Sequence, residues 1–184
     1  MSDIWIISDT HFGHANILKF TDKSGNLIRP SFDNVDHMDE CIADNWNSVV
    51  KDGDIVYHLG DVYYDQGHKI LPKLKGRKRL VLGNHDNGKA SYIQSNFQKV
   101  LAWRMFPEFG LLLTHVPVHP GSLEFKVKKN VHGHLHQNLI DDERYVNVSV
   151  ECIDYTPILL EDVVKRIQEQ GGEVGFRNGN HSVM

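Results

Sequence analysis

Leu80-Val81-Leu82 followed by Gly83-Asn84-His85-Asp86 is the stretch on which the reading of this chain turns. A short aliphatic run bounded by Gly, Asn and Asp reads as a buried strand that runs out into a loop. An Asn-His-Asp cluster at that point has no packing reason to be there, because its side chains seek hydrogen bonds rather than burial. The same arrangement recurs. Ile4 to Ile7 ends in Ser8-Asp9-Thr10-His11, Ile55 to Leu59 in Gly60-Asp61, and Leu111 to Leu113 in Thr114-His115, while Val131 lies just before Gly133-His134-Leu135-His136. In open α/β sheets ligands collect at the carboxyl ends of strands, so these clusters are expected to converge on one rim.

Between the runs the pattern is helical. Val35, Met38, Ile42, Trp46, Val49 and Val50 recur at three- and four-residue steps, one face of an amphipathic helix, with Asp33 as the expected N-cap and Asp52-Gly53 as the stop. Shorter helices are expected over Gln66 to Leu74 and Lys89 to Asn96. Later segments read as strands: Glu108 to Val116, Lys129 to Gly133, and Arg144 to Glu151, where Tyr145, Asn147, Ser149 and Glu151 alternate with Val146, Val148 and Val150. Leu160 to Gln170 closes as a helix before Gly171-Gly172. The whole is an α/β (α+β) order that two packed β-sheets flanked by helices would satisfy. Residues 1–172 read as one domain and 173–184 as a Gly- and Asn-rich tail.

Composition narrows the chemistry. Among 184 residues there are 12 His and only 2 Cys, too few thiols for a disulfide framework or a Cys-based zinc site. Cys41 and Cys152 read as reduced, buried small hydrophobes. A formal charge of -4 gives no support for a protein that coats nucleic acid. The densest basic run, Lys73, Lys75, Arg77, Lys78 and Arg79, reads as a solvated turn before it reads as a binding groove. No apolar run approaches a membrane span or the core of a signal peptide, so the expected setting is cytoplasmic, with no membrane partner.

The strand-end donors are Asp9, His11, Asp61, Asn84, His85, His115, His134 and His136, all oxygen and imidazole. That set suits first-row divalent ions and is too large for one of them. Two ions sharing a carboxylate would use it.

Taken in order, Asp9-Thr10-His11, Gly60-Asp61, Gly83-Asn84-His85-Asp86, His115 and Gly133-His134-Leu135-His136 resemble the calcineurin-like metallophosphoesterase superfamily. Its pattern is Asp-x-His, Gly-Asp, Gly-Asn-His-Asp or Glu, a lone His, and Gly-His-x-His, each on a loop after a strand. The opening Ser8 to His14 and the later Tyr145 to Glu151 are also similar to small single-domain members common in bacteria and their phages. The resemblance implies an αββα sandwich with a dinuclear site on its rim. Carried over residue by residue, Asp9, His11 and His136 would hold the first ion, Asn84, His115 and His134 the second, and Asp61 would bridge them. Mn is the expected metal, with Fe, Zn, Ni or Co as alternatives. A hydroxide between the ions would attack phosphorus in line with the leaving oxygen, and His85 would stabilise charge or protonate the departing alkoxide. The metals would also reverse the sign of a carboxylate-rich site, so that it attracts phosphate.

The expected substrate is a small phosphoester, a diester before a monoester, with DNA or RNA as the nuclease alternative. A non-catalytic scaffold that binds a protein partner is the alternative of another class, disfavoured because His11 and His85 are both present. The oligomeric state is open. Gly60-Asp61-Val62-Tyr63-Tyr64-Asp65-Gln66-Gly67 departs from the Gly-Asp-x-x-Asp-Arg-Gly of the family's protein phosphatases, which argues against that activity. Asn84, His14 and His119 are the expected substrate contacts. Asp86 is expected either to orient His85 or to stabilise its own turn. His132 reads as a hydrogen-bonded strand residue, His58 as a satisfied core imidazole, and His37, His68 and His181 as surface. Phe12, Tyr63, Tyr64 and Trp103 are candidates for stacking on a base or aryl group, although packing is the plainer reading.

Overall fold

Three of the aliphatic runs, β1 (Ile4–Ile7), β2 (Ile55–His58) and β3 (Arg77–Val81), lie side by side in parallel, and a short β4 (Lys99–Leu101) joins beyond β3. A second sheet holds β5 (Arg104–Phe106), β6 (Leu111–Leu113), β7 (Lys129–His132) and β8 (Tyr145–Asn147), antiparallel at β5 and otherwise parallel. The chain then returns to the first sheet as β9 (Ile158–Leu159), antiparallel to β1. The strand orders are β4-β3-β2-β1-β9 and β5-β6-β7-β8. The helices are α1 (Val35–Val49), α2 (Ser91–Asn96) and α3 (Leu160–Glu169). This computed structural model describes residues 2–169; Gln170, the expected breaker Gly171-Gly172, the tail 173–184 and His181 lie outside them. No helix among the described residues is long and apolar enough to cross a membrane.

The two sheets share one buried core. Ile6, Ile7, Val56, Tyr57, Leu80 and Val81 of the first sheet join Phe106, Leu111, Leu113, Val131 and Val146 of the second in a single hydrophobic cluster. Each such side chain contributes roughly 1.5–3 kcal/mol by leaving water. Because β1, β2, β3, β6 and β7 all have their carboxyl ends on the same side, their polar loops meet there. Backbone bonds stitch the loops together: Asp9 N donates to Gly60 O at 3.0 Å, His11 N to Asp61 O at 3.1 Å, Gly133 N to His115 O at 3.0 Å, and Val150 N to Ser8 O at 3.1 Å.

Several local expectations are corrected. Asn34, not Asp33, caps α1, since its Oδ1 accepts from His37 N at 2.9 Å. The helix ends at Val49, with extended Val50 closing it before Asp52-Gly53 is reached. The segment Asp65–Lys73 is a 3-10 helix with Pro72 inside it, and α2 begins at Ser91 rather than Lys89. Glu108 to Gly110 is the turn of a hairpin whose first strand, β5, carries no alternation that would reveal it. The strand expected over Arg144 to Glu151 is only Tyr145–Asn147, followed by a 3-10 helix at Val150–Cys152, and Tyr145 to Val150 are all buried. Arg77 to Arg79 form most of β3 instead of a turn, and Lys78 is buried with its Nζ donating to Leu74 O at 2.6 Å. Cys41 and Cys152 are free but only half-buried.

Candidate metal centre

Two groups of donors face each other on the rim: Asp9, His11 and His136, and Asp61, His115 and His134. Backbone conformation puts them there. Asp9 (φ 58), His11 (φ 50), Asp61 (φ 57), His134 (φ 69) and His136 (φ 50) are all left-handed, a conformation that costs a non-glycine residue on the order of 1–3 kcal/mol. Strain concentrated on five donors marks the loops as shaped for this cluster. Two motif glycines have a matching reason. A Cβ on Gly83 would overlap Asp61 Oδ1, and one on Gly133 would overlap Asp9 Oδ2 and Ser8 Oγ.

Each carboxylate is held by one oxygen and aimed with the other. Asp9 Oδ2 accepts from His134 N at 2.9 Å and from Ser149 Oγ at 3.0 Å, while its buried Oδ1 has no partner among the described residues. Asp61 Oδ1 accepts from His85 N at 3.0 Å. Its Oδ2 looks toward three imidazoles, His115 Nε2 at 3.5 Å, His11 Nε2 at 3.7 Å and His85 Nε2 at 4.0 Å. Burial pushes the Asp61 carboxyl up, but the hydrogen bond and charge of His115 outweigh it and leave the carboxyl well below the usual range.

The imidazoles are oriented from behind. His115 Nδ1 lies 2.8 Å from Leu59 O, an atom that only accepts, so Nδ1 carries a proton and Nε2 is the nitrogen turned to the cluster. That nitrogen lies 2.8 Å from Asn84 Oδ1, 3.2 Å from His134 Nδ1 and 3.5 Å from Asp61 Oδ2. Acceptors that converge in this way need a proton or a metal cation among them. The spacings fit ligands on one ion, since bonds of about 2.1 Å set neighbouring ligands roughly 3.0–3.4 Å apart. In the other group both ring nitrogens of His11 are buried without a hydrogen-bond partner among the described residues, and burial with the nearby Arg29 charge pushes its pKa down to about 2. A neutral His11 is a ligand in waiting. The donor set therefore fits two divalent ions.

His136 reveals residues that its motif did not. Its Nδ1 bonds Glu151 Oε1 at 2.9 Å, and the same oxygen accepts from Arg29 Nε at 2.8 Å. Arg29 is wholly buried and also donates to Thr10 O at 3.1 Å and Asp9 O at 2.6 Å. Arg29 carries no local signal in the sequence, because its role comes from a partner 122 positions away.

The remaining expected residues divide. His85 stands over the cluster, with its side chain 47% exposed, and so faces an incoming molecule. His14 lies at the rim, its ring 4.0 Å from that of Tyr64 and 5.4 Å from that of His11. His119 is exposed, and its side chain bonds Gly121 N in its own loop. Asp86 does not hold the His85 ring; its carboxylate accepts from Asp61 N, Val62 N and Gly83 N, which clamps two loops together. His58 is a satisfied core imidazole between Thr10 Oγ1 and Gly60 N, and burial pushes its pKa down to about 3. His132 bonds Gly133 O at 2.8 Å. His68 is half-buried against Tyr92 rather than free on the surface. Phe12 is core, and Trp103 lies away from the rim, beside Arg79.

Comparison with known proteins agrees with this geometry. Residues 3–150 match the family described as the calcineurin-like phosphoesterase superfamily domain. The chain is 38% identical over 179 residues to the uncharacterized protein MJ1445 of Methanocaldococcus jannaschii, covering 92% of this chain and 93% of that one. It is 38% identical over 92 residues to the Gene 66 protein of Mycobacterium phage L5, covering 47% of this chain and 41% of that one. Among solved structures it is similar to the protein of unknown function AQ665 from Aquifex aeolicus, with a TM-score of 0.70 and 28% identity over 90% of this chain and 100% of that one. With the match running through every metal-facing loop, the chain belongs to the calcineurin-like phosphoesterase superfamily.

Proposed function

We propose that the protein is a phosphohydrolase that works with two divalent ions, Mn by preference, and cleaves a small phosphodiester ahead of a monoester. The observation that carries this reading is Asp61 Oδ2, a single carboxylate oxygen facing His11 of one donor group and His115 of the other. Ions held at such a pair of sites supply positive charge to a phosphoryl group and the acidity that makes water a nucleophile at neutral pH. Asp9, His11 and His136 would hold one ion, Asn84, His115 and His134 the other, and Asp61 would serve both. His85 reaches over them from the solvent side and is placed to hand a proton to a departing alkoxide. Asn84 and His14 line the approach.

The preference for a diester rests on charge. Arg29, the guanidinium beside the cluster, spends its donors on Glu151, Thr10 O and Asp9 O behind the metal-facing atoms. Beyond the ions, the side chains left to face a substrate are imidazoles, with no guanidinium or ammonium to meet the second charge of a monoester.

The deciding test compares bis-p-nitrophenyl phosphate with p-nitrophenyl phosphate across Mn, Fe, Co, Ni and Zn. We expect about two ions per chain and faster diester cleavage. His85→Ala should keep both ions and lose about 10²–10⁴ in turnover, whereas Asp61→Asn should weaken both ions. Folded protein that no divalent ion activates, or an Asp61→Asn variant equal to the parent, would overturn the reading.

A further inference from the structure

Away from the metal clusters, where the chain crosses from β4 to β5, there is a cavity of about 320 Å³ lined by Tyr57, Arg79, Lys99, Trp103 and Arg104 among others. It shares no residue with either donor group. The register explains its chemistry. Tyr57 of β2 pairs with Arg79 of β3, which pairs with Lys99 of β4, so the three side chains stand in a row on one face of the sheet. Arg104 opens β5 and lies over the Phe106 ring at 4.7 Å, which fixes its guanidinium. Arg79 is fixed as well, donating to Tyr57 Oη at 2.6 Å with its guanidinium 5.4 Å from that ring.

Among the described residues these cations form no ion pair. The ion pairs of Lys and Arg among the described residues are Arg29–Glu151, Lys129–Glu143, Arg144–Asp142 and Lys165–Asp162. None of the cavity's three takes part, no acidic residue lines the cavity, and Arg79 Nε is buried without an acceptor. In a chain of net charge -4, three cations gathered on one small cavity with no acidic residue in its lining mark a place for a multiply charged anion. Guanidinium and ammonium donors match phosphate oxygens. Beside them Trp103 is 53% exposed and turns a large apolar face to solvent. A planar base is the natural occupant of an exposed indole next to a phosphate site. The size of the cavity suits one such unit rather than a larger ligand.

We propose that this cavity binds a nucleoside phosphate, its phosphate on Arg79, Lys99 and Arg104 and its base stacked on Trp103. The unit is either a free nucleotide or one residue of a single strand. The proposal does not depend on phosphoesterase activity and is tested without it.

Calorimetric titration of the full chain in EDTA, with AMP as probe, reads binding apart from metals and turnover. AMP should bind, and adenosine and inorganic phosphate should each bind at least about tenfold more weakly, because each engages half of the cavity. Trp103→Ala and the double substitution Lys99→Gln/Arg104→Gln should each weaken AMP by about tenfold or more. These side chains are exposed, so an unchanged melting temperature verifies the fold. A single-stranded oligothymidylate should compete with AMP, and a duplex should be at least about tenfold weaker because its base faces are covered. An oligonucleotide tighter than AMP assigns the site to a strand, and equal affinity assigns it to free nucleotide. The proposal is overturned if phosphate, duplex or hexaglutamate matches AMP, if the variants bind as the parent does, or if Asp61→Asn abolishes binding while Trp103→Ala keeps it.

Discussion

Replacing Glu151 by Gln separates what the buried Arg29–Glu151–His136 chain does for the fold from what it does for the metal. The side chains of Glu151 and Arg29 are 3% and 0% exposed and touch at 2.8 Å. At an effective dielectric near 20, unit charges at that distance attract by about 6 kcal/mol. Gln keeps an oxygen for Arg29 and His136 but leaves the guanidinium without its counter-ion. Less the desolvation that the ion pair itself suffers, the expected loss of stability is about 3 kcal/mol. His136 loses the carboxylate that makes its far nitrogen a stronger donor, so the first site should weaken by about 10–100-fold while the second, built on His115 and His134, keeps its affinity. Two-site calorimetric titration with Mn²⁺ beside a urea melt reads both effects. Arg29→Met/Glu151→Leu sharpens the test, because apolar replacement removes the uncompensated charge and should restore part of the stability, less the bonds to Asp9 O and Thr10 O, without restoring the first site. Equal losses at both sites, or a double variant that regains metal along with stability, would refute a positioning role for Glu151.

Three further outcomes are expected. Gly133→Ala should cost about 1–3 kcal/mol by forcing its Cβ against Asp9 and Ser8, and should lower affinity at the first site; a crystal structure with Asp9 unmoved would contradict the reason given. Burial pushes the Asp39 carboxyl, which accepts from Gly13 N through both oxygens, up to about 7. The folded state therefore holds that proton more tightly than the unfolded state, so this contribution is complete below about pH 4 and disappears as pH rises through about 7. Asp39→Asn should remove that slope in denaturation curves taken across the range, and a slope that survives the substitution would count against it. Adding a divalent ion at about a thousand times its dissociation constant should raise unfolding free energy by about 4 kcal/mol, and a melting temperature unmoved by every ion in the series would argue against two cation sites.

Much of the site was legible because its chemistry is written in short blocks. Asp9-Thr10-His11, Gly60-Asp61, Gly83-Asn84-His85-Asp86 and Gly133-His134-Leu135-His136 each sit where an aliphatic run ends, and parallel strands carry such ends to one side. The frame was legible for the same reason, since continuous apolar runs mark strands buried on both faces. Short elements were not. β4 and β5 are three residues each, and what holds them is pairing with distant strands rather than their own pattern. The alternation of Tyr145 to Glu151 marked a strand but not its end, since the chain leaves β8 after Asn147 and turns into the 3-10 helix Val150–Cys152.

The sequence by itself determined the donor set, its order along the chain and the two-sheet frame that gathers it, since residue type and periodicity carry that information locally. Tertiary structure alone decided which oxygen of Asp9 and Asp61 is held and which is aimed, because the answer depends on amides contributed by the loops of His134 and His85. It also decided that Arg29 and Glu151 stand behind His136, and that Arg79, Lys99 and Arg104 share one cavity. Such pairings join residues far apart in the chain, and only the register of packed strands brings their charges within reach of one another.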